Sequence, residues 1–295
     1  MALTITTAKD RVASRGVIKG CILGPSGIGK TSLLWTLNPD KTLFVDIEAG
    51  GLSVDKWTGD RLDVFQESQK LAWPIWDTLT GIACWLGGPS PLSAPNTSFS
   101  KEHYEAMVGF FGDPAVLDKY DTIFIDSITV ASRACLLWAK TQPRSFSEKT
   151  GKPDMRGSYG VLKEEMIGWM TQLQHATKNV WLVGILDKST DDFGRSVWAP
   201  QIEGSGTINA LPGIFDQLIS MVEVAPDGGG DKFRAFVCHT LNQWNYPAKD
   251  RSSVLDVLEP PDLGALMAKI KDTVPASPSL VLSMPAGSAA AEVAA

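Results

Sequence analysis

Residues 18–37 have the sequence IKGCILGPSGIGKTSLLWTL. The apolar run that ends at Leu23 predicts a buried strand, and leucines at positions 33, 34 and 37 have the spacing of a helix face. Between them, residues 24–31 match the phosphate-binding pattern G-x-x-x-x-G-K-[ST]. This succession of strand, loop and helix predicts nucleotide binding; a glycine-rich turn in an unrelated α/β protein is the alternative.

The residue types of this loop suit phosphate chemistry. Glycines let successive backbone N–H groups point inward at phosphate oxygens, and the helix adds its positive N-terminal end. Lys30 is expected to reach the β- and γ-phosphates, and the Thr31 hydroxyl is expected to bind Mg²⁺. The predicted nucleotide contacts are Gly24, Pro25, Ser26, Gly27, Ile28, Gly29, Lys30, Thr31 and Ser32.

Length and composition limit the number of domains and the kinds of binding site that the chain can have. The 295 residues suffice for one large α/β domain or two small ones, with an ordinary hydrophobic fraction of 44%. A net charge of −6 gives no global attraction to nucleic acid, so any such site must be a local patch. Neither a signal peptide nor an apolar run of about 18 residues is present, which predicts a cytoplasmic protein without a membrane segment. The scattered cysteines and histidines predict no zinc site.

Apolar segments alternate with helical patterns along the chain. This alternation predicts an α/β fold with a mostly parallel sheet covered by helices on both faces, followed by an antiparallel hairpin. The predicted strands are 16–23, 42–47, 62–65, 122–125 and 180–186, with the hairpin at 218–224 and 233–239. The predicted helices follow the phosphate loop and strand 122–125 and occupy 71–86, 103–112, 161–175 and 261–271.

The ends of the predicted strands converge. In a parallel sheet, ligands bind at the carboxyl ends of the strands. Glu48, Asp126 and Asp187 follow three of the strands and are therefore expected at the same edge as the phosphate loop. Asp126 is the natural carboxylate to hold Mg²⁺ with Thr31; an aspartate that only caps the next helix is the alternative.

The residue after Asp126 narrows the class of ATPase. AAA+-type remodelling ATPases usually have a glutamate there, whereas this chain has Ser127 and carries its spare carboxylate at Glu48. That arrangement resembles the RecA-like ATPase core. Residues 45–49 (VDIEA) look like the RecA segment whose glutamate activates water, and residues 123–127 (IFIDS) look like its Walker B strand. The resemblance implies Lys30, Glu48 and Asp126 as catalytic residues and Thr31 and Asp126 as metal ligands.

Later segments resemble one branch of that family. The motif Arg156-x-x-Tyr159-Gly160, Phe215-Asp216 before the hairpin and residues 248–251 (AKDR) look like phage-encoded RecA-core ATPases of the Sak type, over roughly residues 15–272. The resemblance implies ATP and Mg²⁺ as cofactors, single-stranded DNA as partner, and a homo-oligomeric ring or filament in a bacterial host cytoplasm, with a single-stranded DNA-binding protein as a possible partner. The chain departs from RecA at residues 186–188 (LDK), where RecA has a polar sensor.

Two polar segments occupy the places where RecA-like proteins contact DNA. Segment 141–158 is basic, and its candidate DNA contacts are Arg144, Lys149, Lys152 and Arg156. A solvated surface loop is the alternative. Segment 187–207 carries offsetting acidic residues, so a lid or a subunit contact is equally consistent with it.

The resemblance also suggests residues that act on a neighbouring subunit. RecA-like ATPases assemble so that a basic side chain of one subunit reaches the γ-phosphate in the next. Lys249 and Arg251 follow the hairpin and are candidates for that role; surface charges paired with nearby acids are the alternative.

We therefore expect an N-terminal arm at 1–15, a RecA-like ATPase domain at 16–272 and a disordered tail at 273–295. The function expected is that of an ATP-binding and ATP-hydrolysing RecA-like protein that acts on single-stranded DNA, by strand annealing or pairing, in phage recombination or repair. Two alternatives stay open: a DNA-annealing or scaffold module in which ATP is structural or regulatory, and a small-molecule kinase that shares only the phosphate loop.

Overall fold

The computed structural model describes residues 5–7, 16–190, 194, 196–225 and 230–273. Within these residues, ten strands join one sheet. The strands are β1 Lys19–Gly24, β2 Thr42–Asp46, β3 Asp60–Asp63, β4 Thr122–Asp126, β5 Asn179–Thr190, β6 Ser196–Pro200, β7 Gln217–Val224, β8 Phe233–Val237, β9 Lys249–Asp250 and β10 Leu258–Glu259.

The described helices are of two kinds. The α-helices are α1 Val64–Leu71, α2 Ile75–Gly87, α3 Lys101–Phe111, α4 Ile128–Ala139, α5 Met155–Gln174, α6 Ser205–Ile214 and α7 Leu263–Asp272. Short 3-10 helices occupy Thr31–Thr36, Pro39–Lys41, Gly51–Val54, Pro114–Leu117 and Pro143–Ser145.

The sheet has the predicted mixed topology, with the strand order β10-β8-β7-β1-β5-β4-β2-β3. The six strands from β7 to β3 run parallel, while β8, β10, β6 and β9 pair antiparallel. Every residue of β1, β2 and β4 is buried because helices cover both faces of the sheet. The α/β fold with a C-terminal antiparallel hairpin is confirmed, and it is the fold of a P-loop NTPase.

Alternate residues of each central strand pack into different layers. Phe124 of β4 and Trp181 of β5 face the layer that holds the phosphate-loop helix and α7. Ile123 and Ile125 face the opposite layer, where α2, α4 and α5 pack. This period of two residues explains why each strand is uniformly apolar in sequence.

The helix after the phosphate loop is shorter than predicted. It is a 3-10 helix of six residues, Thr31–Thr36. Thr36 Oγ1 donates to the Leu33 carbonyl at 2.7 Å and accepts from the Leu263 N–H at 3.0 Å, which joins the end of this helix to the start of α7. A helix of this length has a smaller dipole than the α-helix that the sequence predicts.

Other boundaries also differ from the predictions. The helix predicted at 71–86 begins later, as α2 after Pro74, and the segment predicted as a strand at 62–65 contains the end of β3 and the start of α1, a helix that was not predicted and that is followed by Ala72 with a positive φ. Helix α5 begins at Met155 instead of 161, since the Asp154 side chain accepts from the Arg156 N–H at 2.9 Å.

The segment predicted as a polar loop at 187–207 is largely ordered structure. Strand β5 continues beyond the sheet edge and pairs with β6, which forms a projecting hairpin, and α6 begins at Ser205. The expected arm 1–15 and tail 273–295 lie outside the described residues, apart from residues 5–7 and 273. In the part of the chain that the structure describes, none of the helices combines the length and apolarity needed to cross a bilayer.

The packing of β1 against β5 leads to a stability prediction. Gly20 pairs with Trp181, and a Cβ on Gly20 would lie 2.1 Å from the Trp181 ring. The ring is fully buried and has no room to move, so Gly20→Ala should lower the free energy of unfolding by about 1–3 kcal/mol. Urea denaturation followed by tryptophan fluorescence measures the change.

Gly109→Ala is the matched control. Gly109 is an exposed residue of α3, and a Cβ there would meet nothing within 4 Å. Because alanine favours a helix by about 1 kcal/mol over glycine, this variant should be as stable as the parent or more so. Equal urea midpoints for Gly20→Ala and the parent protein would contradict the packing argument.

Candidate functional site

The phosphate loop joins β1 to its 3-10 helix through a tight turn. The Ile28 N–H donates to the Pro25 carbonyl at 3.3 Å, and the Ile28 side chain is buried in the core, which anchors the loop. Gly27 and Gly29 have φ angles of 78° and 103°, a conformation that glycine adopts without strain. The loop therefore has the backbone shape that lets N–H groups converge on a phosphate.

Lys30 lies at the base of the loop. Its Nζ donates to the Gly24 carbonyl at 2.8 Å and to the Pro25 carbonyl at 2.9 Å. Because an ammonium group has three protons, one remains to donate to a phosphate oxygen. Burial lowers the pKa of Lys30, and the nearby carboxylates of Asp126 and Glu48 act in the opposite direction.

Thr31 and Asp126 form the candidate metal site. Thr31 Oγ1 donates to Asp126 Oδ2 at 2.5 Å. Thr31 follows β1 and Asp126 ends β4, and β5 lies between these two strands in the sheet. A hydroxyl and a carboxylate oxygen this close together are the ligand types that Mg²⁺ prefers. The residues present thus fit the cation that the sequence predicts.

Glu48 lies beside Asp126 because of the strand register. Asp46 of β2 pairs with Asp126 of β4, and Asp46 Oδ1 accepts from the N–H groups of Glu48 and Ala49 at 3.0 and 2.9 Å. The Ser127 hydroxyl donates to Glu48 Oε1. Ser127 therefore holds the carboxylate that the sequence predicts as the water-activating group.

Asp126 is in an unfavourable environment for a charged carboxylate. Burial above all, together with the neighbouring charge of Glu48, raises its pKa from 3.8 to about 7, although the Thr31 hydroxyl and Lys30 act in the opposite direction. A bound cation would need the deprotonated form. The two neighbouring carboxylates therefore favour a positively charged ligand.

These groups line one small cavity at the carboxyl edge of the sheet. Its volume is about 220 Å³, and it is open to solvent on the side of Ser26 and Gly27. The lining residues are Ser26, Gly27, Gly29, Lys30, Thr31, Ser32, Glu48, Ser53, Asp126 and Ile185. All three predicted catalytic residues and most of the predicted loop contacts are thereby brought together.

Two lining residues were absent from the prediction. Ser53 belongs to the 3-10 helix Gly51–Val54, and Ile185 lies at the point where β5 leaves the sheet. The Ile185 N–H donates to Thr129 Oγ1 at 2.9 Å, which fixes β5 against the start of α4. The position of Ile185 was predictable in part, because it stands one residue before the expected sensor position. Ser53 belongs to no recognised motif, so no signal in the sequence marked it.

The candidate DNA residues of segment 141–158 have different surroundings. Arg144 forms a two-point ion pair with Glu164, at 2.6 and 2.9 Å. Lys149, Lys152 and Arg156 are exposed. The segment is more ordered than the polar composition suggests, since a 3-10 helix and a bridge between Phe146 and Pro153 shape it.

Lys249 and Arg251 lie near the amino end of β7, where β9 pairs with Leu218. Leu218 is level with Cys21, about 10 Å of strand from the phosphate loop. Lys249 Nζ donates to the carbonyls of Pro212 and Phe215, and Arg251 pairs with Asp216 at 2.7 Å. Within their own chain these side chains are engaged away from the cavity; action on a neighbouring subunit stays a prediction.

A comparison with known protein families identifies the family of this chain. A family model described as an AAA domain matches residues 17–252, about four-fifths of the chain. The chain belongs to this family of AAA-type P-loop ATPases. No curated protein matches the chain. In this AAA-type ATPase the residue after Asp126 is Ser127, and the second carboxylate of the site comes from Glu48, two residues after the neighbouring strand β2.

The raised pKa of Asp126 leads to a prediction of pH-dependent stability. The folded ATPase binds the Asp126 proton more tightly than the unfolded chain does, so this contribution to stability is complete below about pH 4 and is lost as the pH rises through 7. Asp126→Asn removes the charge. At pH 8, without Mg²⁺ or nucleotide, we expect it to raise the free energy of unfolding by roughly 2–4 kcal/mol, with little change at pH 4.

Urea denaturation of both proteins from pH 4 to pH 8 measures the difference. The exposed Asp118→Asn is the control and should show no comparable pH-dependent gain. Added Mg²⁺ should stabilise the parent protein more than Asp126→Asn. If the two proteins are equally stable at pH 8, the electrostatic account of Asp126 is wrong.

Proposed function

We propose that this AAA-type ATPase is a RecA-like, Mg²⁺-dependent ATP hydrolase of the phage Sak type. It acts on single-stranded DNA in phage recombination or repair, by strand annealing or pairing, and works as a homo-oligomer. The observation that carries the hydrolytic part is the position of Glu48: the Ser127 hydroxyl holds it beside Asp126, in the same cavity as Lys30.

The chemistry follows from the groups in the cavity. Glu48 is exposed, and Ser127 occupies Oε1, so Oε2 is available to accept a proton from an attacking water. Lys30 has one proton left to donate to a phosphate oxygen as negative charge develops there. When bound, Mg²⁺ held by Thr31 and Asp126 would neutralise part of that charge. A kinase would need an acceptor pocket beside this carboxylate, whereas Glu48 faces solvent.

The support for an oligomer is an apolar patch at the rim of the cavity. The side chains of Trp35 and Leu52 are 52% and 91% exposed. Trp35 Nε1 donates to the carbonyl of Ser53, a residue that lines the cavity. RecA-like ATPases assemble with the nucleotide near a subunit boundary, and a partner subunit seated here would cover both apolar side chains.

The support for single-stranded DNA is the surface of segment 141–158. Lys149, Lys152 and Arg156 are exposed, and Phe146 and Tyr159 are 38% and 40% exposed beside them in sequence. Basic side chains with exposed rings are the combination that binds a phosphate backbone and stacks on bases. The net charge of −6 restricts DNA to such a patch.

The hydrolytic part is tested at Glu48 and Lys30. Glu48→Gln keeps the size of the side chain but removes the proton acceptor, so we expect ATP to bind while turnover falls by about 10²-fold or more. Lys30→Ala removes the phosphate contact and should abolish hydrolysis. Phosphate release measures turnover, and equilibrium titration with a fluorescent ATP measures binding.

Glu67→Gln on the surface of α1 is the control and should turn over ATP at the parent rate. Hydrolysis that persists in purified Lys30→Ala would contradict the proposal. If Glu48→Gln anneals complementary strands as fast as the parent protein, then ATP hydrolysis is not required, and the hydrolysis-independent annealing module replaces the proposed function.

The DNA part is tested by removing two charges. The double variant Lys149→Ala, Lys152→Ala should weaken binding to a single-stranded oligonucleotide. The slope of log K against log salt should become shallower by about 1.4, because each phosphate contact on a single strand contributes about 0.7. Fluorescence anisotropy at several salt concentrations measures both quantities.

A charge-matched control uses Lys41 and Lys271, which lie together at the amino edge of the sheet, away from the phosphate loop. Their double alanine variant should keep the parent affinity and the parent slope. Equal losses in both double variants would indicate a diffuse charge effect, and a parent protein that binds no oligonucleotide at low salt would remove DNA from the function.

A further inference from the structure

Arg234 lies at the phosphate loop although no motif marks it. It belongs to β8, the second strand of the C-terminal hairpin, and its side chain is exposed. A Cβ on Gly29 would lie 3.4 Å from Nη1 of Arg234, so the guanidinium rests against the middle of the loop. Among the described residues, none forms a hydrogen bond or an ion pair with it.

The register of the hairpin explains this position. Arg234 pairs with Glu223 across the strands, and Met221 pairs with Phe236. Phe236 and Met221 are buried in the layer that contains Ile28 of the loop, so Arg234, two residues from Phe236, points from the same face of the sheet. The described residues show no ion pair between Arg234 and Glu223, and the guanidinium is directed at the loop.

Arg234 lies on the opposite side of the loop from the acidic residues. In the sheet, β5, β4 and β2 lie on one side of β1 and carry Asp126 and Glu48, whereas β7 and β8 lie on the other side. Thr31, Asp126 and Glu48 are the groups for Mg²⁺ and the terminal phosphate. With the γ-phosphate placed there, the α- and β-phosphates come within reach of Arg234 when the phosphate chain crosses the loop toward β7 and β8.

We infer that Arg234 contacts the α- and β-phosphates of the nucleotide bound to its own chain. A guanidinium offers paired N–H donors that match two phosphate oxygens and stays charged at any physiological pH. A contact to these phosphates is made equally with the diphosphate and with the triphosphate. The inference rests on the nucleotide binding that the proposed function includes, but not on DNA or on hydrolysis.

The test compares two nucleotides in one variant. Isothermal titration calorimetry with Mg²⁺ measures the affinity of ADP and of a non-hydrolysable ATP analogue for the full chain and for Arg234→Ala. Both affinities should fall by about tenfold or more, and by similar factors. Arg234→Lys keeps the charge but lacks the planar guanidinium. Its affinities for both nucleotides should therefore lie between those of the parent protein and those of Arg234→Ala. In steady-state assays KM for ATP should rise while kcat changes little.

Lys232→Ala is the matched control, because Lys232 is an exposed cation two residues earlier in the same chain segment. It should bind both nucleotides as the parent protein does. The urea midpoint of ligand-free Arg234→Ala should equal that of the parent protein, since Arg234 is exposed and unpaired among the described residues. A purely structural role would shift that midpoint and would overturn the inference.

The remaining outcomes are also decisive. A loss confined to the ATP analogue would place Arg234 on the γ-phosphate, and unchanged affinity for both nucleotides would remove it from the site; either result overturns the inference and leaves the proposed function intact. If the parent protein binds neither nucleotide, the proposed function fails together with the inference.

Discussion

The hydrogen bond between Thr31 and Asp126 joins two strands that are not neighbours. Thr31 follows β1 and Asp126 ends β4, with β5 lying between them. The bond forms only because all three strands run parallel and end at one edge. The cavity and the approach of Glu48, which follows β2, depend on that shared edge.

The same edge concentrates negative charge. Asp46, Glu48 and Asp126 come together at the ends of β2 and β4, and burial raises the pKa of both Asp46 and Asp126. Arg61 forms an ion pair with Asp46, which compensates one of the charges within the fold. Among the described residues, Lys30 is the cation whose charge acts on both Asp126 and Glu48, and a divalent cation held by Thr31 and Asp126 would balance the second carboxylate.

Strand β5 connects the cavity with the surface. Ile185 lines the cavity and is fixed to Thr129, and the strand then continues to Thr190 as one side of the hairpin with β6. Gln201, at the end of that hairpin, bonds the Ile185 carbonyl through its N–H and Asp187 through its side chain. Hydrogen bonds thus join the part of β5 that lines the cavity to both strands of this hairpin.

The sequence by itself determined the phosphate loop, the parallel sheet and the two carboxylates. These follow from local patterns: a contiguous motif, apolar runs, and the rule that parallel strands end together, which brings Glu48 and Asp126 to the loop. The tertiary structure alone decided where residues distant in sequence lie relative to that loop. Arg234 reaches it, while Lys249 and Arg251 lie toward the other edge, because the pairing registers of β7 with β8 and β9 set those positions. Such registers depend on long-range packing and leave no motif.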